Sequence, residues 1–216
     1  MQFSVEVNGK PLWQRIIEGD GYNGQSVTAT GRQWKDGDYF ANAPKYKHSG
    51  RILEAIAAGK LTLYNSNGNQ RYRVGQIRTL IPGRGKPEVW YRRSSDGKFT
   101  YSQQGEEYNL WVLEYINRKG NDLKDWLTVR GFRPARIRIT DLSKLDVREM
   151  TDAQAQRTGF PNAVDYLAWW TGQYIKSHNK WNLADWAYHK QHPELWLADG
   201  NYQFAMLYIG FELAEA

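Results

Sequence analysis

Residues 135–140 read Ala-Arg-Ile-Arg-Ile-Thr, with apolar side chains at the odd positions and polar side chains at the even positions. This strict alternation is typical of a β-strand that has one buried face and one solvated face. Arg136 and Arg138 fall on the solvated face. The stretch therefore predicts a strand whose apolar side packs on a core while its other side presents two cations.

Two capped helices and a last strand are predicted downstream of this stretch. Thr151 and Asn162 are typical N-cap residues, and they predict helices over 151–157 and from 163 to about 178. Residues 202–213 are apolar at both parities, which is the pattern of a central strand covered on both faces. The second half of the chain is therefore predicted to mix helices and strands.

Residues 60–101 predict a series of strands joined by tight turns. Asn67-Gly68 and Asp96-Gly97 are hairpin-turn signals. The strand predicted over 70–81 changes parity at Gly75, which indicates a bulge. We expect these strands, the alternating strand and the last strand to join one curved sheet. Because helices and strands mix without a regular βαβ rhythm, the predicted class is α+β.

The composition excludes several classes of protein. None of the 216 residues is cysteine, which rules out disulfides, thiolate nucleophiles and cysteine-ligated metal centres. No stretch approaches the roughly 18 consecutive apolar residues of a membrane span. The first residues also lack the basic region and apolar core of a secretory signal. We therefore expect a cytoplasmic protein with no membrane partner, and the sequence leaves its oligomeric state open.

The positive charges are concentrated in two segments. The whole chain has 29 Lys plus Arg against 23 Asp plus Glu, a net charge of +6. Residues 71–93 contain seven cations and one acid, and residues 130–148 contain six cations and two acids. The 10 Trp and 14 Tyr add flat side chains on which bases can stack. This combination favours a polyanionic partner such as nucleic acid.

The predicted loop at 82–87 reads Pro-Gly-Arg-Gly-Lys-Pro and is not a Walker phosphate loop. Leu80 stands where that motif needs a glycine, and Pro87 stands where it needs Ser or Thr. Without bulky walls, the loop presents Arg84 and Lys86 between two strands, where they suit a phosphate or a base edge. A plain solvated turn is the alternative.

The sequence offers no recognisable metal or cofactor site. Of the four histidines only His189 and His192 are close together, and a metal ion would need a third ligand. No nucleophile elbow or catalytic-triad signature is present. We therefore expect no metal and no cofactor.

Lys60 and Thr62 lie two positions apart on a predicted strand that follows a short predicted helix at 51–58, so they share one face. A lysine beside a pocket can act as a general base or polarise a carbonyl if burial lowers its pKa. An ordinary exposed strand lysine is the alternative.

Several short motifs follow one another in order: Ala58-Gly59-Lys60-Leu61-Thr62, Tyr72-Arg73-Val74-Gly75-Gln76, the basic loop, Ala135 to Leu142, Gly159-Phe160 and Val164-Asp165-Tyr166-Leu167. This order resembles the ASCH domain, a family of the PUA-like superfamily. The similarity covers roughly residues 46–93 and 134–213. It implies a small β-barrel flanked by helices, with a cleft that binds RNA or modified bases.

The resemblance also implies a division of the chain. Residues 1–45 would form an N-terminal extension packed on the barrel, and residues 46–216 would form the ASCH/PUA-like domain. Helical insertions are expected in this domain at about 106–130 and at about 178–198.

The chain departs from the enzymes of this family. Relatives that hydrolyse acylated cytidine have a Lys-Thr-x-Thr run after the helix, and here Lys60 is kept but the threonine falls at Thr62. They also have a glutamate where this chain has Thr158. Because such a hydrolysis needs a carboxylate to move protons or orient water, its loss favours a binding protein.

The predicted function is binding of nucleic acid, with RNA or a single-stranded or modified nucleotide favoured over regular duplex. Base contacts are expected from Trp90, Tyr91 and Trp170. Phosphate contacts are expected from Arg84, Lys86, Arg136 and Arg138.

Two other functions stay open from the sequence. One is an enzyme acting on a modified nucleoside or RNA, of amidohydrolase or ribonuclease type, with Lys60 as base and Thr62 as its partner. The other is a protein-interaction adaptor of phage or prophage type that uses the aromatic side chains of the helices between Asn162 and Gln191.

Overall fold

The computed structural model describes residues 1, 3, 6–7, 9–35, 37–41, 61–84, 86, 88–102, 122–174, 184, 187–188, 191 and 204–214. The strands in chain order are β1 (Glu6–Val7), β2 (Lys10–Pro11), β3 (Ala29–Gln33), β4 (Tyr39–Ala41), β5 (Thr62–Tyr64), β6 (Gln70–Arg73), β7 (Ile77–Thr79), β8 (Trp90–Arg93), β9 (Phe99–Tyr101), β10 (Arg133–Pro134), β11 (Arg136–Asp146) and β12 (Ala205–Ala214). The helices are α1 (Leu12–Glu18), α2 (Asp122–Val129), α3 (Asp152–Arg157) and α4 (Ala163–Tyr174).

The chain divides into two compact units. Unit 1 consists of Met1–Glu18, Ile77–Ile137 and Leu213–Ala216, and unit 2 consists of Gly19–Gln76 and Arg138–Glu212. The first 45 residues contribute α1 to unit 1 and β3 and β4 to unit 2. The division predicted at residue 45 stays a prediction.

Unit 1 contains an antiparallel sheet in the order β10-β8-β9. Strands β8 and β9 form the hairpin predicted from Asp96-Gly97, because Gly97 adopts a φ of +83° that favours glycine. The N-terminal residues join the same unit through backbone hydrogen bonds, in which the Phe3 amide donates to the Ile81 carbonyl at 2.9 Å. Leu80 is also buried in this unit.

Unit 2 contains a sheet in which β12 lies between β3 and β11. Leu207, Tyr208 and Ile209 are all buried, so both faces of β12 are covered, as its apolar pattern predicted. On β11, Ile139 is buried while Arg138 is exposed, which confirms the predicted alternation. A second antiparallel sheet of unit 2 has the order β4-β5-β6.

The two N-caps predicted from sequence are present in unit 2. Thr151 accepts a hydrogen bond from the Gln154 amide at 3.2 Å, and the Gln154 side chain accepts one from the Thr151 amide, which completes a capping box at the start of α3. The Asn162 side chain accepts from the Asp165 amide at 2.9 Å at the start of α4. Local sequence therefore sets where both helices begin.

The fold is α+β, and the described residues form several antiparallel sheets in place of the expected single curved sheet, with no closed barrel found among them. The strand predicted over 70–81 is interrupted at Gly75, where a φ of +81° allows a turn instead of the predicted bulge. The Gly75 amide then donates to the Ile139 carbonyl at 2.7 Å. As a result, β6 and β7 belong to different sheets.

Several predictions fall outside the described residues. They are the helix at 51–58, the histidines and most of the two helical insertions, of which only 122–130 and a few positions between 184 and 191 are described. No helix in the described ranges is long and apolar enough to cross a membrane.

Candidate nucleic-acid interface

Among the described residues of unit 1, four exposed arginines each lie over an aromatic ring. The pairs, with the distance from the guanidinium carbon to the ring centroid, are Arg130 and Trp126 at 3.7 Å, Arg133 and Tyr91 at 4.8 Å, Arg92 and Phe132 at 5.2 Å, and Arg93 and Phe99 at 5.4 Å. We call these eight residues the arginine–aromatic cluster. Such cation–π contacts fix a guanidinium in place while its N–H edges stay in water.

The sheet register brings two of these pairs onto one face. Arg133 on β10 lies opposite Tyr91 on β8, and Arg93 on β8 lies opposite Phe99 on β9. Directly opposed residues of antiparallel strands share a face, and residues two apart on one strand do so as well. Arg93, Arg133, Tyr91 and Phe99 are therefore on the same face of the sheet, with the two ring centroids 6.2 Å apart.

The other two pairs are built from the turn between α2 and β10. Arg92 has the opposite parity from Arg93, so it points to the second face of the sheet, where it lies over Phe132. Its guanidinium also donates to the Arg130 carbonyl at 3.4 Å. Gly131, with a φ of +77°, allows the tight turn that brings these groups together.

Helix α1 packs on the first face at Tyr101, which lies opposite Tyr91. Trp13 packs edge-on against Tyr101, with ring centroids 5.1 Å apart. The Glu18 carboxylate accepts hydrogen bonds from the Tyr101 hydroxyl at 2.7 Å and from the side-chain amide of Gln14 at 2.9 Å. Glu18 also forms an ion pair with Lys10. These contacts tie α1 to β9 and β2.

The protonation states in this supporting cluster are fixed at neutral pH. Burial raises the pKa of Glu18, but the hydrogen bonds from Lys10, Gln14 and Tyr101 outweigh it and bring the pKa below its ordinary value of 4.5. Burial, and then the hydrogen bond to Glu18, raise the pKa of Tyr101 far above its ordinary value. A carboxylate and a phenol held in these states serve to position α1 and do not exchange protons readily.

The arginines of the cluster have no carboxylate partner among the residues that the structure describes. Within the described parts of the chain, none of Arg92, Arg93, Arg130 and Arg133 forms an ion pair with Asp or Glu. The nearby hairpin acid Asp96 is paired with Lys98 at 3.3 Å. These four charges therefore suit an anionic ligand.

The cations predicted as phosphate contacts fall into two groups. Arg84, Lys86 and Arg136 are exposed residues of unit 1, the unit that carries the cluster. Arg138 belongs to unit 2 and pairs with Glu212 at 2.8 Å. Its charge is therefore partly compensated, unlike the charges of the cluster.

The aromatic residues predicted as base contacts are core residues, which is a correction to the sequence analysis. Trp170 has no exposed surface and stacks on Tyr166 inside unit 2. Tyr91 is 2% exposed, with the Arg133 guanidinium carbon 4.8 Å from its ring centroid, and Trp90 is 9% exposed. Rings without open surface cannot stack on bases, so Tyr91 takes part only as the support of Arg133.

The residues expected for the enzyme are not assembled into a site among the described residues. Lys60 lies outside them, and Thr62 is 3% exposed in β5, where it faces Ala41 and Arg73 across the sheet. Thr158 is also buried, and its hydroxyl donates to the Ala155 carbonyl at 2.7 Å as part of the end of α3. Thr62 and Thr158 therefore have structural roles.

The described rings at α4 that were expected to form the adaptor patch are mostly covered. Phe160, Tyr166 and Trp169 pack on one another, with centroid distances of 5.1 to 5.5 Å, and Tyr166 is buried. Farther along the predicted range, Tyr188 is 55% exposed. The adaptor function therefore stays a prediction.

Sequence reasoning missed the arginines of the cluster as site residues. Arg92, Arg93, Arg130 and Arg133 were all within the two basic segments, but their charge alone did not distinguish them from the other cations. The sequence signal that could have found one of them is the Asp96-Gly97 turn. This turn fixes the register of the hairpin and so places Arg93 opposite Phe99.

No family model, curated protein or solved structure matches the chain. The resemblance to the ASCH domain therefore stays a prediction.

Proposed function

We propose that this protein binds nucleic acid through the arginine–aromatic cluster, with RNA and single-stranded or modified strands as its ligands. The observation that carries the proposal is the set of four exposed arginines, each resting on a ring and none paired with a carboxylate among the described residues. By contrast, Arg71 and Arg148 of unit 2 each have a carboxylate partner.

A guanidinium held over a ring is suited to phosphate. Its planar fork can donate two parallel hydrogen bonds to phosphate oxygens, and the ring contact reduces the side-chain entropy lost on binding. The exposed Arg84, Lys86 and Arg136 would extend the phosphate contacts within unit 1. The ASCH resemblance points to the same ligand class, and we keep membership of the PUA-like superfamily as part of the proposal.

Fluorescence anisotropy with a labelled mixed-sequence RNA strand, measured over a series of salt concentrations, tests this proposal. Binding should weaken with salt, because each neutralised phosphate releases counterions. On single strands each such phosphate contributes about −0.7 to the slope of the logarithm of the binding constant against the logarithm of the salt concentration. The R93Q/R133Q variant should bind roughly 10- to 30-fold more weakly, since each lost charged contact is worth about 1 kcal/mol. Its slope should be flatter by roughly one to two units.

The matched control is R73Q/K144Q, which removes two exposed cations from unit 2 and so changes the net charge equally. We expect it to bind RNA almost as tightly as the wild type. Equal losses in the two variants would mean that net charge, and not the cluster, determines binding. Absence of salt-dependent binding by the wild type would refute the proposed function.

A further inference from the structure

We infer that Arg93 and Arg133 form two stacking positions for unpaired bases, so that the cluster selects single strands by their base faces as well as by their phosphates. This inference rests on the proposed function. It assigns to the guanidinium planes the base contacts that buried Trp90, Tyr91 and Trp170 cannot make.

Each guanidinium lies near a ring and also meets the solvent. The guanidinium carbon of Arg133 is 4.8 Å from the centroid of the Tyr91 ring, and that of Arg93 is 5.4 Å from the centroid of the Phe99 ring, while both arginines are exposed. Each group therefore has an inner side toward its ring and an outer side toward the solvent. Guanidinium planes stack on nucleobases as aromatic side chains do, so the outer side of each is a position for one base.

The rings that carry these arginines are held firmly. Phe99 stacks on Tyr101 with an interplanar angle of 9°, and Tyr101 is in turn fixed by Trp13 and Glu18. A stacking platform gains affinity when its parts do not have to be ordered on binding. The contacts of α1 with Tyr101 therefore help to hold the ring that carries Arg93.

The spacing of the two positions favours unpaired strands. The two rings under the guanidiniums, Tyr91 and Phe99, have centroids 6.2 Å apart, close to the roughly 6.8 Å that two residues span along a strand. Bases within a duplex rise by only about 3.4 Å per step and hide their faces against each other. Neighbouring bases can therefore reach both guanidiniums only when they are splayed apart, as in a single strand.

The test compares a single-stranded DNA with an abasic strand of the same length, which keeps every phosphate but has no base faces. The wild type should bind the base-containing strand at least about tenfold more tightly, since stacking gives about that factor or more per base. Arg-to-Lys variants keep the charge and lose the flat plane. In R93K/R133K the preference for bases should fall to less than about threefold, with the salt slope unchanged.

R73K is the control, because it makes the same replacement at an exposed arginine of unit 2. It should keep the preference for bases, and melting temperatures should show that all variants are folded. Equal binding of the base-containing and abasic strands by the wild type would overturn the stacking inference and leave the proposed function standing. A preference that persists in R93K/R133K would also overturn it. If neither strand binds with salt dependence, the proposed function itself fails.

Discussion

Replacing Gly31 by alanine tests how tightly α4 packs on the main sheet of unit 2. Gly31 lies on β3 opposite Tyr208, and a Cβ at this position would overlap both the Tyr166 hydroxyl and the Met206 sulfur. Tyr166 and Met206 are buried, so neither can turn into solvent. Overpacking a core costs about 1–3 kcal/mol, and we expect about 2–3 kcal/mol here because two atoms must move.

Urea unfolding followed by tryptophan fluorescence measures this loss. The matched control is Gly172→Ala on α4, where an added Cβ meets nothing within 4 Å. That change should stabilise the protein by about 0.5–1 kcal/mol, because alanine favours the helix. Adding Tyr166→Phe to Gly31→Ala removes one overlapping atom and should recover part of the loss. A Gly31→Ala protein as stable as the wild type would refute this account of the packing.

Two further predictions concern stability. Because hydrogen bonds bring the pKa of Glu18 below its ordinary value of 4.5, its carboxylate stabilises the fold above that pH and less as the pH falls through the lowered pKa. Glu18→Gln should therefore lower the urea midpoint at neutral pH, and a difference from wild type that does not shrink in acid would contradict this. Thr151→Ala should cost about 1 kcal/mol by removing the capping box with Gln154. Thr128→Ala in α2 is its control and should stay within about 0.5 kcal/mol; equal losses would show that the cap is not the cause.

The sequence predicted those features that depend on neighbouring residues alone. The buried Ile137 and Ile139 follow from simple alternation, and the starts of α3 and α4 follow from Thr151 and Asn162. The covered strand β12 follows from its apolar composition. In each case the deciding interaction lies within a few residues of the chain, so a local pattern is sufficient.

The features that failed depend on contacts between distant residues. A positive φ at Gly75 allows either a bulge or a turn, and only the pairing with Ile139 decides between them. Likewise, composition cannot show whether an aromatic ring is exposed. Tyr91 was expected to meet a base, but the register of β10 and β8 places Arg133 on it instead.

The segments of units 1 and 2 alternate along the chain, so the ribosome makes the parts of unit 1 at different times. Glu18 and Tyr101 are separated by 83 residues, so at about 5–20 residues per second α1 is made roughly 4–17 s before the strand it packs on. During that interval the apolar side of α1, including Trp13 and Ile16, has no β9 to cover it. The nascent chain therefore offers chaperones a specific early target. For the same reason, a fragment covering only 77–137 would contain the cluster but not its helix, so ligand studies need the full chain.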